Sequence, residues 1–212
     1  NYLNTIYSGR VRLPAEGTTE RVYHHPTYNL SANIPFNKSN TLRIEAKGRT
    51  QNPGSNMLQN IVDRSNTSNV RAGNPDLMPA FLHDAEIRYV NTNRKAGTTF
   101  SLSVTYTGSG NYFCDSLIIN NNVDEKGNGV PLDILANGET VTLKEGDQFV
   151  KPVNLGGYHK IGFRSAFAMP LDFLRCNFNL GASASVQRLP GMINSEYIPI
   201  NRNWFQLSGR LD

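Results

Sequence analysis

Chemistry at a protein site needs groups that can meet, and few pairs in this sequence are spaced to do so. His83 stands beside Asp84, an order that invites a carboxylate-oriented imidazole acting as general base. In an extended segment, neighbours point to opposite faces, so the two should not touch. His24 and His25 fail as a metal pair for the same reason, and no carboxylate or cysteine stands nearby at ligand spacing. Asp124, Glu125, Asp133, Glu145 and Asp147 gather in one stretch and carry oxygens of the kind calcium takes. They lack the regular spacing of a calcium loop, and a solvated acidic loop fits them better. Cys114 and Cys176 show no metal spacing, and the strand pattern below puts them at opposite ends, where they should not pair. The expectation is a protein that is not an enzyme and holds no metal or cofactor.

The elements that would position any site are organised around residues 63–79. Asp63, Arg64, Ser65 and Asn66 are followed, after a short spacer, by Arg71, Ala72, Gly73, Asn74, Pro75, Asp76, Leu77, Met78 and Pro79. Two prolines so close exclude a helix, Gly73 permits positive φ, and Asn74 or Asp76 can bond its own backbone to close an Asx-type turn. A rigid polar loop follows, joining two strands, because alternation of apolar and polar residues resumes on either side.

That alternation runs through the chain. It is visible at residues 7–13, 28–34, 41–50, 86–89, 100–107, 158–169, 176–187 and 205–211. Residues 14–21 read as a polar connection. Residues 114–150 read as a long excursion with two β segments, 116–120 and 140–144, around the glycines of 127–129. With 212 residues, 38% hydrophobic content and no run of apolar residues at helical spacing, the class is all-β. No stretch of about 18 apolar residues exists, which excludes a transmembrane helix but not a transmembrane barrel. The net charge of +4, from 21 basic and 17 acidic residues, is too diffuse to point to nucleic acid. The chain begins at Asn1 with neither a basic segment nor an apolar leader, which reads as a mature protein or a piece of a longer one.

Connection lengths alternate. Short turns at residues 35–40, 91–97 and 170–172 take turns with long loops at 51–83, 108–157 and 189–201. A membrane barrel keeps that rhythm, with short periplasmic turns, long extracellular loops and strands of about 9–11 residues. The apolar faces are thin, with small residues such as Ala182 and Ala184, which lipid tolerates better than a packed core does. Tyr28, Tyr89, Phe100, Tyr158, Phe173 and Phe205 sit near strand ends, as interface girdles require. The expected fold is therefore an antiparallel transmembrane β-barrel segment.

The motif of residues 63–79 resembles the loop signature of TonB-dependent outer-membrane receptors, closest to the outer-membrane β-barrel family of Bacteroidetes. The preceding strand, ending in Gly48, Arg49, Thr50, Gln51, Asn52 and Pro53, is similar to that family's strand before the loop. The resemblance extends from about Tyr28 onward and departs at Ala80, where the family usually has glutamate. It implies a C-terminal barrel portion spanning residues 1–212, without the N-terminal plug of complete members, in the outer membrane of a Gram-negative bacterium. Its implied partners are outer-membrane lipid, a plug domain, the TonB system and a small-molecule or glycan cargo such as a ferric chelate. Seven or eight strands are too few for the barrel of about 22 found in plugged transporters, and Asp212 is not the terminal aromatic of an assembly signal, so a fragment is expected; a small complete barrel is the alternative.

On the barrel reading, the polar faces line the lumen. Arg10, Arg12, Arg43, Lys47, Arg49, Arg88, Lys160, Arg164 and Arg210 would point inward, with Glu45 and Glu86 as partial counterions. A basic lumen favours anionic cargo, or its charges pair with a plug or with one another. The ligand-binding candidates are Arg43, Lys47, Arg49, Arg71, Asn74, Asp76, Arg88, Lys160 and Arg164, with the long loops as the place of capture. Two other classes stay open. A secreted β-sandwich binding carbohydrate or another ligand would bury larger aliphatics. A barrel enzyme would need acidic and histidine residues converging at the rim.

Overall fold

Period-2 alternation over segments of 8 to 14 residues leaves the chain one economical arrangement, and a computed structural model shows it as strands throughout. It describes residues 2–11 and 17–212, with side chains from Thr27 onward. The readings on residues 12–16 and on the side chains of Arg10, His24 and His25 lie outside the described residues.

The chain enters as a ribbon of β1 (Tyr2–Val11) and β2 (Gly17–Pro26), so the expected polar connection gives way to strand from Gly17. Next come β3 (Tyr28–Pro35) and β4 (Asn40–Gln51). A long connection follows, with a one-turn helix α1 (Ser55–Leu58) and short strands β5 (Val62–Asp63) and β6 (Asn69–Ala72). After β7 (Ala80–Asn93) and β8 (Thr98–Ser109), a second connection holds β9 (Tyr112–Ile119), β10 (Leu132–Ala136), β11 (Glu139–Leu143) and β12 (Gln148–Leu155). Then β13 (Tyr158–Leu171) and β14 (Cys176–Leu189) precede a third connection with β15 (Met192–Ile193) and β16 (Glu196–Tyr197), and β17 (Ile200–Leu211) ends the series.

Seven of these strands pair in chain order, β3-β4-β7-β8-β13-β14-β17, as an antiparallel meander. Its three tight turns share one end. Asn37 accepts the amides of Ser39 and Asn40 in the first, and Asn93 accepts those of Lys95 and Ala96 in the second. The three long connections share the other end. Among the described residues the sheet is open, with β3 and β17 at its edges, so it closes neither as a large barrel nor as the small complete one. Seven strands fall short of the eight that the smallest membrane barrels use.

The long connections are not irregular loops. They build a second sheet, β16-β15-β9-β12-β6-β5, in which β12 pairs parallel with β6 and β15 parallel with β9. The purely antiparallel expectation therefore fails in this cap. β10 and β11 form a hairpin closed by Asn137 and Gly138, both at positive φ as a two-residue primed turn requires. That hairpin covers one face of the cap sheet, and the two bury Val70, Ala72, Ala136, Val141, Leu143 and Phe149. This cluster lies wholly in the cap. The meander has no comparable core: Leu30, Phe205 and Leu207 are 66%, 70% and 65% exposed, and Ile87, Ile161 and Val186 stand out beside them. Among the described residues no second sheet covers this apolar face, as a sandwich would require.

Residues 63–79 fasten the first connection. Asp63 accepts the amide and hydroxyl of Ser65, and Arg64 reaches the Thr140 carbonyl at 3.0 Å and Glu139 at 3.1 Å on β11. Asn74 accepts the Asp76 amide, the expected Asx turn, and donates to the Pro152 carbonyl at 2.9 Å. Asn154 bonds both the amide and the carbonyl of Met78, each at 2.8 Å. Gly73 is needed for a reason other than positive φ, which it does not adopt. A Cβ there would run into the Gln59 carbonyl oxygen, because the backbones of residues 59–61 and 73 pass close enough for Gly73 to donate to Ile61. Leu58 and Leu77 are 1% exposed beneath this knot, and Ala80 is completely buried, leaving no room for a longer side chain.

Two substitutions test this account. Gly73→Ala should destabilise the cap by about 2 kcal/mol or more through backbone displacement, and Leu77→Ala by about 2–5 kcal/mol through the cavity it leaves. Limited proteolysis should then cut between Gln51 and Pro79 at protease levels that leave the parent chain intact, while the meander stays protected.

Candidate functional site

The nine expected binding residues fall in two places. Six of them, Arg43, Lys47, Arg49, Arg88, Lys160 and Arg164, share the polar face of the meander. Arg71, Asn74 and Asp76 lie in the cap.

The strand register sorts the polar face into rows. Arg43 on β4 stands opposite Arg88 on β7, and Ser103 on β8 separates Arg88 from Arg164 on β13. The next row places Glu45 opposite Glu86 and Thr105, and the one after it Lys47 opposite Asp84, Thr107 and Lys160. Like charges directly across a ladder repel, but rows of opposite sign two residues apart along each strand offset this. Arg43 accordingly pairs with Glu45 in its own strand. Arg49 pairs with Asp84 at 2.7 Å, and the Thr107 hydroxyl donates to the same carboxylate at 2.7 Å. No carboxylate lies within ion-pair distance of Arg88, Lys160 or Arg164 among the described residues. Part of the basic face is thus internally neutralised and part stays open. His83 and Asp84 point to opposite faces, as their adjacency requires: His83 meets the Tyr28 hydroxyl, and Asp84 meets Arg49.

In the cap, one face of the six-stranded sheet packs on the β10–β11 hairpin. The other lines an open cleft of about 720 Å³. Arg71 and Asp63, register partners on β6 and β5, project into it, with Asp115 from β9 across the sheet and Asn56 and Gln59 from the first connection. Val150 and Pro152 of β12 supply an apolar floor. Two hydrogen bonds from Ser65 to the Asp63 carboxylate hold its pKa below the usual aspartate value, with a smaller contribution from Arg71, so it is an anion throughout the neutral range. The cleft therefore presents one cation, two carboxylates and two amides, which suits a polar ligand with both donors and acceptors. Asn74 and Asp76 are not among the residues that line the cleft, and the Asn74 side chain is committed to the turn and to Pro152.

The acidic stretch 124–147 holds turns. Asp124 accepts the amides of Lys126 and Asn128, Asp147 that of Lys144, and Asp133 the Thr142 hydroxyl. No group of three or more potential metal ligands occurs among the described residues. Cys114 on β9 and Cys176 on β14 are both free. Asp115 and the cleft itself escaped the sequence reading, because parallel pairing between distant connections creates them and no local signal announces it.

A sheet with one continuous exposed apolar face and one charged face, capped by folded connections at a single end, defines a membrane β-barrel class of protein. Consistent with this, the chain belongs to the outer membrane protein beta-barrel family, which it matches over residues 15–211. No curated protein matches it. The chain is accordingly an outer-membrane protein.

Burial, and next the neighbouring Asp115, push the Cys114 thiol up to about 11. At pH 8 only about one molecule in 1,000 then carries the thiolate, so alkylation at Cys114 should run about 200-fold slower than at an ordinary free thiol. Mass spectrometry after timed iodoacetamide labelling reads this directly, and the rate should still be climbing tenfold per pH unit at pH 9–10.

Proposed function

We propose that the chain is part of the wall and the external cap of an outer-membrane uptake receptor, TonB-dependent in its energy supply, that captures a small polar ligand such as a ferric chelate or a glycan. It works by binding and passage and breaks no covalent bond of its cargo. The observation that carries this reading is the cleft over Arg71 at the end where the long connections gather, the end that faces outward in bacterial barrels. Capture there, ahead of a polar face with open cations at Arg88, Lys160 and Arg164, would hand an anionic or polyhydroxylated cargo from the cap to the lumen. A plug domain and the TonB system complete this reading as partners, and outer-membrane lipid covers the apolar face.

Cells producing the full protein should accumulate a labelled ferric chelate or oligosaccharide, and dissipating the proton gradient should abolish accumulation while leaving surface binding intact. Accumulation that continues undiminished without the gradient overturns energised uptake. Within the same assay, Arg71→Ala should weaken surface binding about 10- to 150-fold, the loss of one charge-assisted hydrogen bond. A full-strength Arg71→Ala receptor would remove the cleft from the capture step.

A further inference from the structure

One register row on the apolar face of the meander differs from every other. It runs Tyr28, Gly48, His83, Gly108, His159, Arg188, Asn201, from β3 across to β17, at the cap end of the sheet. Traced along all seven strands, this face carries three basic side chains, His83, His159 and Arg188, and all three lie in this row. No aspartate or glutamate of the seven strands falls on the face at all. The rows beyond it, beginning Leu30, Ala46, Ala85, Tyr106, Ile161, Val186, are dominated by apolar residues.

The row is built rather than merely populated. Gly48 and Gly108 leave gaps over which the rings of Tyr28 and Tyr106 lie, and a Cβ at either position would strike the ring. Tyr28 thereby reaches across β4 to His83, Oη to Nδ1 at 3.0 Å, and Tyr106 leans over its own strand to His159 on the adjacent β13, Oη to Nδ1 at 2.9 Å. Phe81 stands edge-on to the His83 ring at a centroid distance of 4.9 Å. In the tautomer in which the tyrosine hydroxyl donates to Nδ1, the ring proton sits on Nε2 and each imidazole offers that N–H outward. No carboxylate lies within ion-pair distance of Arg188 among the described residues.

Depth decides what such a row can meet. From Ile161 to Met169 on β13 the apolar face continues for about 27 Å of strand, which a tilt near 40° projects to about 21 Å, close to the height of a barrel's apolar band. The histidine row lies just beyond that band. Three donors aligned at one depth, with no acid on the face, match the anion that membrane lipids carry at that level. His159 and Arg188 sit on adjacent strands, about 5 Å apart along the hydrogen-bonding direction, which lets both address one phosphate, with His83 about 10 Å away. We propose that His83, His159 and Arg188 form a docking site for the phosphate of a membrane lipid headgroup on the outer surface of the sheet. The inference is independent of any cargo or energy source.

The test uses the full protein extracted from outer membranes in a mild detergent, with native mass spectrometry counting bound lipid. The probe is dioleoyl phosphatidic acid, and dioleoylglycerol, its phosphate-free counterpart, is the control. Phosphatidic acid should bind at least tenfold better than dioleoylglycerol, and a variant combining His83→Ala, His159→Ala and Arg188→Ala should lose at least fivefold of that binding. Heat-modifiable gel mobility shows whether this variant is folded. Arg188→Gln alone, which removes only the charge, should still cost about threefold and serves if the triple variant does not fold. Equal binding of the two lipids, or undiminished binding by the folded variants, overturns the proposal. Displacement of the lipid by millimolar inorganic phosphate would overturn it as well, since that marks a site for free anions.

Discussion

Register is the constraint on which the rest of this structure depends. Because side chains alternate with period two, the pairing of β4 with β7 at Arg43 and Arg88 simultaneously sets Ile44 opposite Ile87 on the other face. A slip of one residue in any strand would turn arginines toward hydrocarbon and isoleucines toward the charged rows. In an aqueous sheet such a slip costs lost packing. In a bilayer it costs a charge in hydrocarbon, several kcal/mol per residue near the midplane, and the backbone ladder has no water to fall back on. The meander needs no interior of its own, since its register is enforced by two different surroundings.

The cap follows ordinary rules. It has a buried cluster, positive-φ turn residues, and side-chain amides that satisfy exposed backbone groups. The two halves thus divide the work: one is stabilised by apolar packing, the other by a solvent with two sides. That division explains a composition of only 38% hydrophobic residues in a chain of 212, which would be lean for a domain that had to bury both.

Much of the meander was legible in the sequence. The alternation at 41–50, 100–107, 158–169 and 176–187 marks strands that the structure extends by a few residues; the first two short turns fall within the expected stretches, while the third lies at 172–175 instead of 170–172 because Pro170 and Leu171 stay in β13. The separation of His83 from Asp84 also follows from the pleat alone. The cap was less legible for identifiable reasons. Asn137-Gly138 is a strong local hairpin signal that the β segments expected at 116–120 and 140–144 leave out. The parallel pairing of β6 with β12 joins residues some 80 positions apart, such as Asn69 and Gln148, and no periodicity encodes that. Gly73 shows a subtler gap, because a glycine chosen for close approach and one chosen for positive φ look identical in a sequence. Of the candidate site, Arg71 and the polar-face cations could be named in advance, whereas Asp115 and the cleft needed the fold.

The composite character of the cap sheet carries a mechanical consequence. β6 comes from the first long connection, β9 and β12 from the second, and β15 and β16 from the third, yet they share one hydrogen-bonded ladder. A separate loop could swing aside on its own hinge. Here, lifting any one connection means tearing backbone bonds to its neighbours, so the three are geared together. This end of the meander therefore carries a single stiff plate, which moves as one body on the strands that root it or does not move.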